Sequence, residues 1–122
     1  SRGTALKYRP MFEKLTQFNL HHRVAEHPAP TLVFFSAPAC SSCRHLKAVL
    51  KLVAARHPVW RVFEVDAQHE SGLVSEFEVF HLPSMFLFSE GDYHAELSCE
   101  ATPAMIESAI EGALRQPRME AP

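Results

Sequence analysis

The sequence predicts an α/β fold, a central mixed β-sheet of about five strands flanked by helices. Three observations carry this expectation. Short runs rich in Val and Phe alternate along the chain with amphipathic stretches of helical period. Prolines and a Glu-Gly pair mark the boundaries between them. Finally, 122 residues with 47% hydrophobic and 21% charged side chains suit one globular domain able to bury one core.

The elements follow in order. Residues 1–10 carry Arg2, Lys7, Arg9 and Pro10 with little periodicity and read as a flexible lead-in. The domain proper is expected over 11–115. Met11 to Leu15 suits a short strand. Thr16 is placed to cap a helix from Gln17 to about His27, with Leu20, Val24 and Ala25 on one face, stopped by Pro28 and Pro30. Thr31 to Ser36 (TLVFFS) is nearly continuous apolar sequence, as expected of a central strand buried on both faces. From about Ser41 to His57, Leu46, Val49, Leu50, Val53 and Ala54 form one helical stripe, with Arg44, Lys47, Lys51 and Arg56 at other positions. Trp60 to Val65 reads as a strand closing on Asp66. Glu70 to Glu78 suits a short helix burying Leu73, Val74 and Phe77. Ser84 to Ser89 and Tyr93 to Ser98 flank Glu90-Gly91 as a hairpin. Thr102 caps a last helix with Pro103 in its first turn and Met105, Ile106, Ala109, Ile110 and Ala113 inside. Residues 116–122 read as a frayed tail.

Charge and hydropathy narrow the function. Twelve basic residues against fourteen acidic ones leave a net charge of −2. That is no footprint for nucleic acid, whose phosphates call for a basic face, nor for a polybasic membrane anchor. No apolar run approaches the roughly 18 residues of a membrane span, and no signal peptide is visible. With three cysteines, an odd number, the expected setting is the cytoplasm.

The cysteines are the sharpest feature. Cys40-Ser41-Ser42-Cys43 follows the TLVFF strand and opens the amphipathic helix. A helix N-terminus presents free N–H groups and a partial positive charge. A thiolate there is stabilised and becomes a nucleophile near neutral pH. The spacing lets Cys43 turn back toward Cys40 within the first helical turn. Cys40 can then attack a disulfide, and Cys43 can resolve the mixed disulfide. A half zinc site is the competing reading, but it needs further ligands, and only Cys99 and scattered histidines are on offer.

These residues carry a resemblance. From about Met11 to Leu114 the chain resembles thioredoxin-fold proteins, through TLVFFSAPACSSC, WRVFEVD, HLPSMFLFSEGDY and the closing helix. The resemblance implies a cis proline at Leu82-Pro83, facing the dithiol and leaving the preceding backbone free to pair with an extended peptide. Leu82, Pro83 and Ala39 are thereby implied in substrate binding. Ala37, Pro38 and Met85 would add apolar surface nearby.

Three departures from the family pattern follow. Where thioredoxins usually carry Trp-Cys-Gly-Pro-Cys, this chain has Ala39-Cys40-Ser41-Ser42-Cys43. Ser41 and Ser42 become candidate modulators through hydrogen bonds to the thiolate. The acidic residue that thioredoxins bury in the preceding strand is replaced by Phe34. A water or another side chain must take that role, or exchange is slow. Glu64 and Asp66 end the next strand; each is a candidate buried acid, and Asp66 suits the following turn better. Third, Cys99 stands where relatives tend to have glycine, in a loop expected to border the partner groove. It reads as a secondary redox site or as a small, partly buried side chain.

Of eight histidines, His81 is the candidate modulator, two residues before Pro83. His21, His22, His27 and His57 read as surface residues, and His45 is expected to point away from the thiols. The expected function is thiol–disulfide exchange with protein substrates, with no cofactor and with an external reductase or oxidase as redox partner. The alternatives are a non-catalytic binding or adaptor module and a metal-handling protein.

Overall fold

A computed structural model describes residues 11–122; the lead-in over residues 1–10 lies outside them. The elements are β1 (Glu13–Lys14), α1 (Leu20–Ala25), β2 (Thr31–Ser36), α2 (Ser41–Arg56), β3 (Arg61–Asp66), α3 (Ser71–Glu76), β4 (Ser84–Ser89), β5 (Asp92–Leu97) and α4 (Pro103–Leu114). The strands form one mixed sheet in the order β1-β3-β2-β4-β5. β3 pairs parallel with both β1 and β2, whereas β4 pairs antiparallel with β2 and β5.

Strand alternation divides the core into two layers. Every residue of β2 is buried, so both of its faces are covered. Leu32 and Phe34 pack with Leu46, Val49, Leu50 and Val53 of α2 and with Ile106 and Ile110 of α4. Val33 and Phe35 pack on the opposite face with Leu20 and Val24 of α1, Leu73 of α3 and the neighbouring Phe63, Phe77, Phe86 and Phe88. Burying each such side chain stabilises the fold by about 1.5–3 kcal/mol relative to exposure.

Two helices begin where side chains satisfy the first free N–H groups. Cys40 is the N-cap of α2, and its sulfur accepts from Cys43 N–H. Thr102 caps α4 and accepts from Met105 N–H, with Pro103 opening the helix. The β4–β5 turn falls at Glu90-Gly91, both at positive φ (57° and 82°), the conformation of a tight hairpin.

Several expectations need correcting. Helix α1 is shorter than its apolar pattern and starts at Leu20, after Asn19, rather than at Gln17 after Thr16. Thr16 and Asn19 instead close a turn on each other, with Asn19 Oδ1 accepting from Thr16 N–H at 2.8 Å. Ala25 is exposed. A long-range cation ends this helix: the Arg61 guanidinium donates to the Arg23 and Val24 carbonyls, each at 2.9 Å. Met105 points outward at 46% exposure, because only Ile106 and Ile110 fall on the buried stripe of α4. Residues 116–122 carry no helix or strand, yet they are tethered. Met119 N–H donates to the His94 carbonyl at 2.7 Å, and Arg118 pairs with Asp92.

Candidate active site

The site grows from the junction of β2 and α2. The chain leaves the sheet at Ser36, crosses Ala37-Pro38-Ala39 and enters the helix at Cys40. Cys40 N–H donates to the Ala37 carbonyl at 3.2 Å, and the Cys40 carbonyl accepts from Arg44 N–H at 3.2 Å. The residue is thereby held between turn and helix with extended backbone (φ −103°, ψ 109°). Cys43, one turn on, comes back beneath it. The two are joined as a disulfide with 5.2 Å between their Cα atoms.

The two sulfurs differ in access. Cys43 is 1% exposed, whereas Cys40 is half-buried and opens to solvent. An incoming group therefore reaches Cys40 first. Cys43 N–H points at the Cys40 sulfur from 3.2 Å, and the Ser42 hydroxyl lies 3.4 Å from it. Both are donors for a thiolate once the pair is reduced. Ser41 is exposed, and the structure gives its hydroxyl no bond to either sulfur.

On the outer side lies a cleft of about 330 Å³ that brings together Ser42, His81, Leu82, Pro83 and Cys99. The Leu82–Pro83 peptide bond is cis. His81 is exposed on the rim, and Ser84 of β4 anchors the segment by donating to the His81 carbonyl at 2.7 Å. Cys99 is a free, half-buried thiol, and burial pushes it above its ordinary pKa. It meets the cleft as expected but also packs against the α2/α4 core. Ala39 is exposed beside Cys40, whereas Met85 is buried at 6% and adds less rim than expected. Phe80, which the sequence pattern did not single out, is 89% exposed just before this segment.

His45 bonds the Ala101 carbonyl at 3.0 Å, and both residues line the cleft. His57 is no simple surface residue. It stacks on Trp60 at 3.7 Å between ring centroids and reaches Glu107 at 2.7 Å. Among the described residues, no group of three or more His, Cys, Asp or Glu side chains is placed to hold a metal ion.

The inner side is where the sequence was least informative. No carboxylate stands on β2, but Glu64 of β3 is registered opposite Phe34 and is 3% exposed. Its Oε2 accepts from the Ser36 hydroxyl at 2.6 Å and meets Lys47 Nζ at 2.8 Å. These three side chains and Cys43 line one cavity of about 250 Å³. The signal for Glu64 was present as a single acid inside an otherwise apolar strand. Lys47 carried none, because it stands off the apolar stripe of α2. Asp66 takes the turn role instead, accepting from Gln68 N–H at 2.9 Å and bonding His69 at 2.8 Å. Burial alone would raise its carboxyl, but those two bonds, together with the charges of His69 and Lys14, hold it below its ordinary range.

Comparisons with known proteins agree with this geometry. Over 66 residues the chain is 33% identical to thioredoxin domain-containing protein 2 of Rattus norvegicus, which is 54% of this chain and 12% of that protein. Over 79 residues it is 28% identical to putative thioredoxin H10 of Arabidopsis thaliana, 65% of this chain and 47% of that protein. The chain thus spans less than half the length of these curated relatives. Among solved structures, oxidized mitochondrial thioredoxin 3 of Saccharomyces cerevisiae superposes with a TM-score of 0.74 at 20% identity, covering 83% of this chain and 94% of that one. Thioredoxin of Trypanosoma brucei brucei gives 0.72 at 20% identity, covering 90% and 97%. At such identity these likenesses speak to the fold. The thioredoxin family model itself matches residues 11–112, a span that takes in the whole sheet and both walls of the cleft, and the chain therefore belongs to the thioredoxin family.

Proposed function

We propose that this domain exchanges disulfides with protein substrates through Cys40 and Cys43. The observation that carries the reading is the asymmetry of the pair. One sulfur is half-open at a helix N-terminus, and the other is sealed beneath it. In the reduced protein, Cys40 attacks a substrate disulfide and releases one substrate thiol. Cys43 then attacks Cys40, releases the second thiol and closes the Cys40–Cys43 bond. Two electrons pass from the dithiol to the substrate, and the reverse sequence oxidises a substrate dithiol. An external redox partner must reset the pair, and the potential of the pair sets which direction dominates.

Protein substrates are favoured over small molecules by the open apolar rim. Leu82 and Pro83 line the cleft that Ser42 of the motif also lines, Ala39 adjoins Cys40 in the chain, and Phe80 is exposed just before this segment. The free Cys99 thiol and the odd cysteine count favour a reducing setting such as the cytoplasm. A turnover assay on several protein disulfides tests the reading. The parent is expected to reduce them and Cys40→Ser is not. Equal inactivity of the two would leave a binding or adaptor module as the better account.

A further inference from the structure

His94 stands apart within the sheet. Phe88 pairs with Tyr93 and Leu87 with Ala95, so His94 is the extra residue of a bulge and has no partner on β4. β5 is also the last strand of the sheet, and main-chain groups on such an edge need cover. His94 turns two groups toward the segment that follows α4. Its Nε2 donates to the Ala113 carbonyl at 2.7 Å, and its own carbonyl accepts from Met119 N–H at 2.7 Å. One residue earlier, Arg118 meets Asp92 at 3.1 Å. Ala121 and Pro122 then reach a pocket of about 110 Å³, lined also by His21, Val24, Glu76, Phe77, Phe88 and Tyr93. The segment thus advances from His94 toward the hairpin turn, as an antiparallel neighbour of β5 would.

We propose that the outer edge of β5 is a peptide-docking site, separate from the dithiol, which residues 116–122 occupy in cis and which an extended partner segment of the same chemistry takes in trans. The seated segment shows what that chemistry is. It supplies a main-chain N–H to His94, a basic side chain to Asp92 one residue before, and a small apolar residue or proline three to four positions after the base. Adding a strand to an edge draws affinity from main-chain bonds and selectivity from side-chain pockets. Charge agrees with a basic ligand: the acids lining the pocket are Glu76 and Asp92, with His21 paired to Glu76 at 2.7 Å.

The hold in cis is light enough to exchange. The Arg118 and Asp92 side chains are 65% and 66% exposed, and exposed pairs contribute little. The short link to α4 keeps the segment seated, at an effective concentration of about a millimolar. The seat surrounds Gly91, Asp92 and Tyr93 at the turn end of the β4–β5 hairpin. The cleft at the dithiol segment takes the opposite end, from Glu96 to Cys99. Docking therefore leaves Cys40 open, and the inference goes beyond the exchange reading without resting on it.

The probe is an amidated, dye-labelled peptide with the sequence of residues 116–122, QPRMEAP, followed by fluorescence anisotropy against the full chain. Two substitutions loosen the segment in place: Arg118→Glu removes the base, and Met119→Pro removes the N–H. The loosened chain is expected to bind the peptide about tenfold tighter than the parent, whose seat is already filled. Arg118→Glu alone, a change at an exposed position, should give part of that gain. Adding Asp92→Lys to the loosened chain should cancel it, and so should the Arg118→Glu change made in the peptide. The first exchange phase, attack by Cys40 on a substrate disulfide, should stay within about twofold when the peptide is bound, as for distant sites. A larger change would overturn the separation from the dithiol. Equal binding by parent and loosened chain, no binding by either, or indifference to Asp92→Lys would overturn the docking site. So would a loosened chain that pairs with itself and ignores the peptide, since that assigns the edge to a second copy.

Discussion

On its outer side the dithiol segment meets solvent and, through Ser42, a cleft of mixed apolar and polar lining. On its inner side it meets a charged cavity. Cys40 and Ser42 belong to the first region, where the chain turns from β2 into α2, and Leu82 and Pro83 share with Ser42 the cleft there. Cys43, Ser36, Lys47 and Glu64 belong to the second, and three separate elements converge to build it. One motif of four residues therefore meets two different environments within a single helical turn.

The largest way to break this comparison is to remove the sulfurs one at a time. Cys40→Ser should abolish exchange, a loss of about a thousandfold or more, as for a deleted nucleophile. Cys43→Ser should still attack but stall as a mixed disulfide with substrate. Mass spectrometry of the protein after mixing with a disulfide peptide distinguishes the two. Similar adducts in both variants would erase the asymmetry on which the reading stands.

Next in size is Phe34→Ala. Phe34 is fully buried between the sheet and α2, next to Glu64 in register. Its truncation should cost about 3–5 kcal/mol in urea unfolding while leaving the first exchange phase of the folded fraction unchanged. A large change in that phase would show that the apolar floor, and not only the charged cavity, tunes the dithiol.

Ser42→Ala sharpens the outer side. Losing one hydroxyl from the Cys40 thiolate should slow its attack by about two- to tenfold at pH 7 with little effect on resolution. Iodoacetamide alkylation of the reduced protein against pH reads this directly, through a higher apparent thiol pKa in the variant.

The smallest expected effect concerns Asp66, which lines the cavity but serves the turn. Its carboxyl lies lower in the folded protein than in the unfolded chain, because the bonds to His69 and Gln68 and the charges of His69 and Lys14 together outweigh burial. Its contribution to stability is therefore full above the unfolded value, about pH 4. It is lost as pH falls through the lowered folded value. Urea unfolding at pH 7 and pH 3 should show a smaller acid-induced loss in Asp66→Asn than in the parent. Equal losses would mean that the carboxyl titrates alike in both states.

Much of this architecture was legible from the chain. TLVFFS and SMFLFS are the strands Thr31–Ser36 and Ser84–Ser89 at the expected boundaries, because continuous apolar runs leave no choice of face. The Cys40 cap and the Thr102 cap were also legible, since capping is a matter of a few neighbouring residues. The first helix was misjudged at its start because Thr16 and Asn19 both can cap, and the competition was settled by the turn they form together. Lys47 was unreadable as a site residue. Its partner lies on another strand, and nothing local to α2 distinguishes it from Lys51 or Arg44.

What the sequence determined by itself is the local chemistry: a dithiol at a helix N-terminus, a proline before the fourth strand, and strands and helices in alternating order. Each depends on residues a few positions apart, so spacing and periodicity suffice. Only the tertiary structure decided that Cys43 is sealed while Cys40 is open, that Cys99 shares the cleft with Pro83, and that Glu64 answers Lys47 and Ser36 behind the sulfurs. Those facts depend on strand register and on which face of a helix meets the sheet, and both are set by packing across the whole domain.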